Sequence, residues 1–126
     1  MDAKERKTHP LYSGCLRYFP DALMAVAHVS YVGNEQHNPG TPLHWDRSKS
    51  TDEPDALLRH LKDAGTLDSD GLRHSAKVAW RALAILQKEI EAGNDGHETL
   101  EWTKWTKWMA EEAADIEEAR TLLNAR

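Results

Sequence analysis

The chain has 126 residues and carries 16 Lys and Arg against 21 Asp and Glu, a formal net charge of −5. This length predicts about one domain, and the absence of an apolar run of roughly 18 to 20 residues predicts that no segment crosses a membrane. A pI of about 5.8 excludes general binding to nucleic-acid backbones. One cysteine, Cys15, and no signal peptide after Met1 predict a cytoplasmic protein.

Charge and histidine are distributed unevenly along the chain. Residues 1–93 carry 12 Lys and Arg and 13 Asp and Glu, residues 94–126 carry four and eight, and six of the seven His lie in the first part. We therefore predict a flexible arm over 1–10, a helical body with the site over 11–93, and an acidic, Trp-rich amphipathic helix over 94–126. Because the body is nearly neutral, its charge does not exclude binding of an anionic ligand.

The first main helix is predicted to begin at Pro20, which suits a first helical turn, and to end at about Gly33. Residues 38–42 are rich in Pro and Gly and must end any helix, so a polar loop is predicted over 38–50. Ser50 and Glu53 have the spacing of a capping box, which predicts a second helix that runs to about Asp63.

Two longer amphipathic helices are predicted next. Residues 71–92 have apolar positions at helical spacing that predict a core stripe, formed by Leu72, Ala76, Ala79, Leu83, Leu86 and Ile90. Residues 97–124 place Trp102, Trp105 and Trp108 along a face that either packs on the chain's own body or serves a homo-oligomer, which we expect. No strand pattern persists, so we predict an all-α fold of four main helices with a long polar loop between the first two.

Paired polar residues occur at helical spacing in two places. Glu35 and Asn38 lie three residues apart, as do Asp52 and Asp55, and this spacing places both members of a pair on one helix face. Facing helices with such pairs could hold Mg²⁺ or Mn²⁺ through oxygen ligands. A metal-bound water could then attack a phosphoanhydride.

Several strings along the body carry a family resemblance: GNEQHNPG, LHW, DALLRH and RHSAKVAWRAL. Over about residues 8–90 the chain resembles a family of small, mainly phage-encoded proteins called the dATP/dGTP diphosphohydrolase N-terminal domain. The resemblance implies hydrolysis of a purine deoxynucleoside triphosphate to the monophosphate and pyrophosphate, in the cytoplasm of an infected host. It also implies a bundle like that of the all-α MazG-like pyrophosphohydrolases.

MazG-like enzymes bind magnesium through Glu-x-x-Glu, a gap, and Glu-x-x-Asp. The order and gap agree here, but Asn38 replaces the second Glu and Asp52 the third, so the set carries one charge fewer. The resemblance implies that Glu35, Asp52 and Asp55 hold the metal. His37, His44, His60 and His74 are alternative ligands or acid–base groups, of which we assign His37 and His74 to proton transfer.

The remaining candidates are assigned to the nucleotide. Cations suited to phosphates are Lys49, Arg59, Lys77 and Arg81, with Asn38, His44 and His60 completing the set. Trp45 either stacks on a purine base or fixes the loop to the core. Asp55 and Arg59 could instead form a surface ion pair. The predicted function is a metal-dependent nucleotide pyrophosphohydrolase, and the alternative is a non-enzymatic protein that sequesters a host signalling nucleotide.

Overall fold

The computed structural model describes residues 2–93, 111 and 114–124. Its elements in chain order are α1 (Ala3–Lys7), a π-helical turn (Tyr12–Leu16), α2 (Pro20–His37), α3 (Glu53–Lys62) and α4 (His74–Glu91), and residues 114–124 are also helical. Apart from an isolated bridge between Leu67 and Arg73, these residues contain no β-structure. The predicted all-α class is confirmed.

Helix α2 begins at Pro20 as predicted but runs four residues past the predicted end, to His37. Gly33 lowers helix propensity by only about 1 kcal/mol, and no Pro follows until Pro39. The helix closes where the Asn38 N–H donates to the Asn34 carbonyl at 2.7 Å. This extension places Glu35 and His37 on the last turn of α2.

The predicted capping box at Ser50 and Glu53 is wrong. Helix α3 begins at Glu53, and its N-cap residue Asp52 makes no side-chain capping bond. Glu53 is buried instead, and its carboxylate accepts a hydrogen bond from Lys88 Nζ at 2.9 Å. A buried carboxylate needs a charged partner, and here α4 supplies it. The structure places a capping box at α1, between Asp2 and Glu5.

Helix α4 is the central element because it packs against both α3 and α2. The buried apolar side chains of the described residues come from α3 and α4: Ala56, Leu57, Ala76 and Ala84. Toward α2, Trp80 Nε1 donates to Ser30 Oγ at 2.7 Å. The predicted core stripe of α4 is only partly buried, since Leu83, Leu86 and Ile90 are 48%, 51% and 60% exposed.

A tight loop joins α3 to α4 and delays the start of α4 from the predicted residue 71 to His74. The Asp68 N–H donates to the Leu72 carbonyl at 2.7 Å, and the His74 N–H donates to the Thr66 carbonyl at 3.2 Å. Gly71 has a φ of +82°, which glycine adopts without strain. The chain therefore turns back on itself before α4 begins.

The predicted terminal helix falls mostly outside the described residues, and this includes Trp102, Trp105 and Trp108. Within the predicted arm, α1 is short and its side chains are exposed. Among the helices that the structure describes, none has the length and apolar character that a membrane span requires.

Candidate functional site

A cavity of about 750 Å³ opens between the C-terminal half of α2, the loop that follows it, and the first half of α4. Its walls combine apolar and polar side chains in the manner of small-molecule sites, which measure roughly 300–1,000 Å³. Eight of the predicted site residues line it: His37, Asn38, His44, Trp45, Lys49, His60, Lys77 and Arg81. Residues far apart in the chain thus meet around one space.

Trp45 attaches the loop to α4. Its ring meets the ring of Trp80 edge-on, with centroids 5.6 Å apart and an interplanar angle of 76°. The Arg47 guanidinium lies over Trp45 at 4.2 Å and also pairs with Glu91 at 2.6 Å. Because Trp80 contacts the Trp45 ring and Arg47 covers one of its faces, the geometry favours loop fixation over base stacking.

Asn34 forms a second attachment of the loop. Its side chain is buried in the cavity wall, and Nδ2 donates to the Thr41 carbonyl at 3.1 Å. Its Oδ1 is buried and has no hydrogen-bond partner among the residues that the structure describes. The loop is therefore held at Thr41, near its start, and again at Trp45, near its middle.

The cations of the cavity differ in their partners. Lys77 Nζ donates to Asp68 at 2.6 Å and to Asp70 at 2.7 Å. Burial lowers the Lys77 pKa, but these two hydrogen bonds outweigh it, so the pKa is raised above its ordinary value. Lys49 Nζ donates to the amide oxygen of Asn38 at 3.1 Å, and among the described residues it has no carboxylate within salt-bridge distance.

Arg81 is the third cation of the cavity. Its guanidinium donates to Ser50 Oγ at 2.8 Å and lies 3.8 Å from the Glu53 carboxylate. Arg81 therefore has one carboxylate neighbour at the outer limit of an ion pair and keeps donors for another anion. Ser50, which the sequence predicted as a helix cap, instead accepts this hydrogen bond from Arg81 and lines the cavity.

His60 and His74 meet where α3 ends and α4 begins. Their Nδ1 atoms are 2.9 Å apart, and both rings are half-buried. Burial, followed by the positive charge of Lys77, lowers the pKa of His60. Asp68 completes the cluster, and the hydrogen bond from Lys77 lowers the pKa of its carboxyl to about 2. In the described part of the chain, these three residues form the one group of three His, Cys, Asp or Glu whose ligand atoms lie within 4.8 Å of one another.

The predicted carboxylate ligands do not come together in this way. Glu35, Asp52 and Asp55 are exposed, and none of them lines the cavity. Asp52 accepts from Ser50 Oγ at 3.0 Å and from Arg59 at 3.4 Å, so Arg59 pairs with Asp52 instead of Asp55. Ser50, followed by Arg59, lowers the pKa of Asp52.

Sequence reasoning missed four residues of this region. Asp70 and Trp80 line the cavity along with Ser50, and Asp68 lies behind Lys77. Asp68 and Asp70 lie in the string Asp-Ser-Asp-Gly, which is typical of a turn, and Lys77 on the first turn of α4 is the signal that could have identified them. Trp80 lies three residues after Lys77, a helical spacing that places the two side chains on one side of α4 and could have identified it.

No curated protein and no solved structure matches the chain. A family model described as dATP/dGTP diphosphohydrolase, N-terminal, matches residues 2–99. The matched stretch contains α1–α4, every residue that lines the cavity and the whole of the His60, Asp68 and His74 cluster. Because the match covers well over half of the 126 residues, the chain belongs to the dATP/dGTP diphosphohydrolase N-terminal family.

Proposed function

We propose that this chain binds a purine nucleoside triphosphate in the cavity and hydrolyses it to the monophosphate and pyrophosphate. The observation that carries the proposal is the convergence of eight predicted residues around a cavity of about 750 Å³. That volume lies within the range of small-molecule sites. The family's description, which names dATP and dGTP, supports the substrate class.

Lys49 and Arg81 are the proposed phosphate ligands. Among the described residues Lys49 has a neutral partner, Asn38, and Arg81 keeps unused donors. Lys77 is less available because Asp68 and Asp70 already share its ammonium group. Cations placed in this way would stabilise the negative charge that develops on the departing pyrophosphate.

His37 is the proposed proton acceptor for the attacking water. It lies at the last residue of α2 and lines the cavity, whereas His74 reaches it only through His60. A neutral imidazole can take a proton near pH 7. In the overall reaction, water adds to phosphorus, one P–O bond of the phosphoanhydride breaks, and pyrophosphate leaves.

We also propose that Mg²⁺ or Mn²⁺ accompanies the nucleotide. Such an ion neutralises phosphate charge, and Mg²⁺ is usually held by one or two carboxylates together with substrate phosphates and waters. Glu35, Asp52 and Asp55 do not meet as a three-ligand group in this structure. The proposal therefore does not require all three carboxylates to bind one ion, and the assignment of these residues to the metal stays a prediction.

Product analysis tests the proposal. The full chain is incubated with dATP, dGTP, ATP or GTP and with Mg²⁺ or Mn²⁺, and phosphorus NMR follows the nucleotide. Accumulation of monophosphate and pyrophosphate in equal amounts is the expected result. Tight binding with every nucleotide recovered unchanged would overturn hydrolysis in favour of the sequestering alternative, and neither binding nor turnover would refute both.

A lysine pair tests the location of the site. Lys49→Ala removes a cavity cation and should raise the nucleotide KM about tenfold or more, since a hydrogen bond to a charged group contributes roughly 1.5–3 kcal/mol. Lys62→Ala removes an exposed lysine that does not line the cavity, and its KM should equal that of the native chain. Equal KM values for both variants would place the phosphates elsewhere.

We further propose that the chain forms a homo-oligomer. Support comes from α4, where Leu83, Leu86 and Ile90 lie at helical spacing and are about half exposed. Apolar stripes of this kind commonly mark interaction surfaces.

A further inference from the structure

We propose that His60, Asp68 and His74 form a binding site for one divalent transition-metal ion, such as Zn²⁺ or Co²⁺, at the wall of the cavity. Each of the three residues offers one ligand atom, and these atoms lie within 4.8 Å of one another. The family's description names no metal. The site differs in position and in chemistry from the carboxylates that the sequence indicated for Mg²⁺.

The two histidine donors lie close to the separation that a single ion requires. Metal–nitrogen bonds to histidine measure about 2.0–2.1 Å, so two imidazoles on one ion hold their nitrogens about 2.9 Å apart at right angles and about 3.3–3.4 Å apart in a tetrahedron. The Nδ1 atoms of His60 and His74 share a hydrogen bond at 2.9 Å, so an ion would replace that proton with a movement of no more than about half an ångström. Two His with one carboxylate, leaving open positions, is a ligand set used by catalytic zinc and non-haem iron sites.

The fold sets the backbone positions of the three ligands before any ion binds. His60 lies on α3 and His74 is the first residue of α4, so the packing of these helices sets their separation. Asp68 is held by the tight loop between them, where its own N–H donates to the Leu72 carbonyl at 2.7 Å. Ligands placed on a packed scaffold lose little conformational freedom on binding.

Both carboxylate oxygens of Asp68 accept hydrogen bonds from neighbouring groups that would surround the bound ion's ligands. Its Oδ1 accepts from the Ser69 N–H at 2.7 Å, and its Oδ2 accepts from Lys77 at 2.6 Å. Carboxylates that bind metals are commonly hydrogen-bonded in this way. Lys77 adds a positive charge beside the site, but its ammonium group also donates to Asp70 at 2.7 Å. The two carboxylates and the lysine together carry a net charge of −1, which favours a cation.

Ligand chemistry selects the class of metal. Two of the three donors are imidazole nitrogens, which suit Zn²⁺, Co²⁺ and their neighbours, whereas Mg²⁺ requires oxygen. Three protein ligands leave coordination positions for water or another oxygen donor. Because His60 lines the cavity, a phosphate oxygen is a candidate for such a position, and this last step alone rests on the proposed function.

Metal titration without nucleotide tests the site, so the result does not depend on hydrolysis. The full chain is titrated with Co²⁺ while the visible spectrum is recorded, and with Zn²⁺ by calorimetry. We expect one ion per chain and no displacement of Co²⁺ by an equal concentration of Mg²⁺. A native chain that binds neither ion, or that releases Co²⁺ to equimolar Mg²⁺, would overturn the proposal.

Matched variants locate the ion. His74→Ala and Asp68→Asn should each weaken Co²⁺ binding by about 100-fold or more, since loss of even an outer partner of a ligand costs roughly 10–100-fold. His28→Ala is the control, because His28 is an exposed histidine that stacks on Tyr31 away from the cluster. Asp68→Asn keeps the shape of the side chain, and circular dichroism verifies its helix content. Unchanged Co²⁺ affinity in Asp68→Asn and His74→Ala, or an equal loss in His28→Ala, would refute the assignment.

Discussion

In the described part of the chain, different surroundings shift the pKa values of individual carboxyl groups in opposite directions. Hydrogen bonds from Lys77 lower the pKa of Asp70 and hold that of Asp68 at about 2, so both stay ionised through the physiological range. Glu89 on α4 is the reverse case, because burial alone raises the pKa of its carboxyl. A partner therefore decides whether a half-buried acid stabilises or opposes the fold.

Replacement of Glu89 by Gln tests this difference. The raised pKa means that folding favours the protonated acid, so the ionised form destabilises the native chain at pH values above the folded pKa. This penalty disappears as pH falls below the unfolded pKa of about 4.5. Glu89→Gln should therefore raise the melting temperature at pH 7 and leave it nearly unchanged at pH 4.

Thermal unfolding followed by circular dichroism at the two pH values measures this effect. Glu5→Gln serves as the control, since Glu5 belongs to the exposed α1 and should not reproduce the gain at pH 7. A lower melting temperature for Glu89→Gln at pH 7 would contradict the predicted sign.

At the level of helices, α3 and α4 are joined by a small apolar contact and a buried charge. Three of the four buried apolar residues are Ala, and such short side chains let two helices approach closely. Beside them, the Glu53 side chain is only 6% exposed and accepts from Lys88 at 2.9 Å. Lys88 also donates to the Ser50 carbonyl at 2.8 Å, so one lysine holds both α3 and the end of the loop.

Removal of Lys88 should expose the cost of that buried carboxylate. Breaking one side of a buried ion pair costs roughly 3–5 kcal/mol. The cost should be smaller here because the Lys88 side chain is 27% exposed and Arg81 also lies near Glu53. We therefore expect Lys88→Met to lower the free energy of unfolding by about 2–3 kcal/mol. Adding Glu53→Gln should recover much of this loss, because the unpaired charge is then gone.

Urea denaturation of the two single variants and the double variant measures the coupling. Lys62→Ala, at an exposed position, should change the unfolding free energy by no more than about 0.5 kcal/mol. A double variant that loses the sum of the two single losses would show that Glu53 and Lys88 act independently.

Across the whole molecule, the described residues bury little apolar surface. Among them four apolar residues are buried, and the largest, Leu57, is still 7% exposed. Leu83, Leu86 and Ile90 follow helical spacing along α4 and leave an apolar stripe beside this small core. Covering that stripe with a second copy would bury apolar area at about 25 cal/mol per Å².

We expect the native chain to form an oligomer that Leu86→Lys dissociates. A lysine in the centre of the stripe would place a charge in an apolar contact, which costs far more than the same charge in water. Light scattering coupled to size exclusion measures the mass. Leu11→Lys, at a residue that is 66% exposed near the N-terminus, should leave the mass unchanged, and a monomeric native chain would refute the proposal.

Local sequence patterns sufficed for the helical class, the start of α2 at Pro20, the loop after it, and the body of α3 and α4. These features depend on contacts within a few residues: the fixed φ of Pro, the turn chemistry of Pro and Gly, and apolar spacing of 3.6 residues. The start of α4 was missed because loop hydrogen bonds, such as that from the His74 N–H to the Thr66 carbonyl, determine it. The end of α2 was placed too early because Gly33 costs a helix only about 1 kcal/mol and does not end it.

Candidate residues were predictable by type, and their grouping was not. His, Lys, Arg and Trp were recognised as capable of chemistry, and seven of the predicted ones line one cavity together with Asn38. The helix spacing of Glu35, Asp52 and Asp55 gave no information about the distance between α2 and α3. Only the packing of α4 against both helices decides which side chains meet. Asp68 lies beside His60 and His74, which are 8 and 6 residues away in the chain, because the loop folds back between two packed helices.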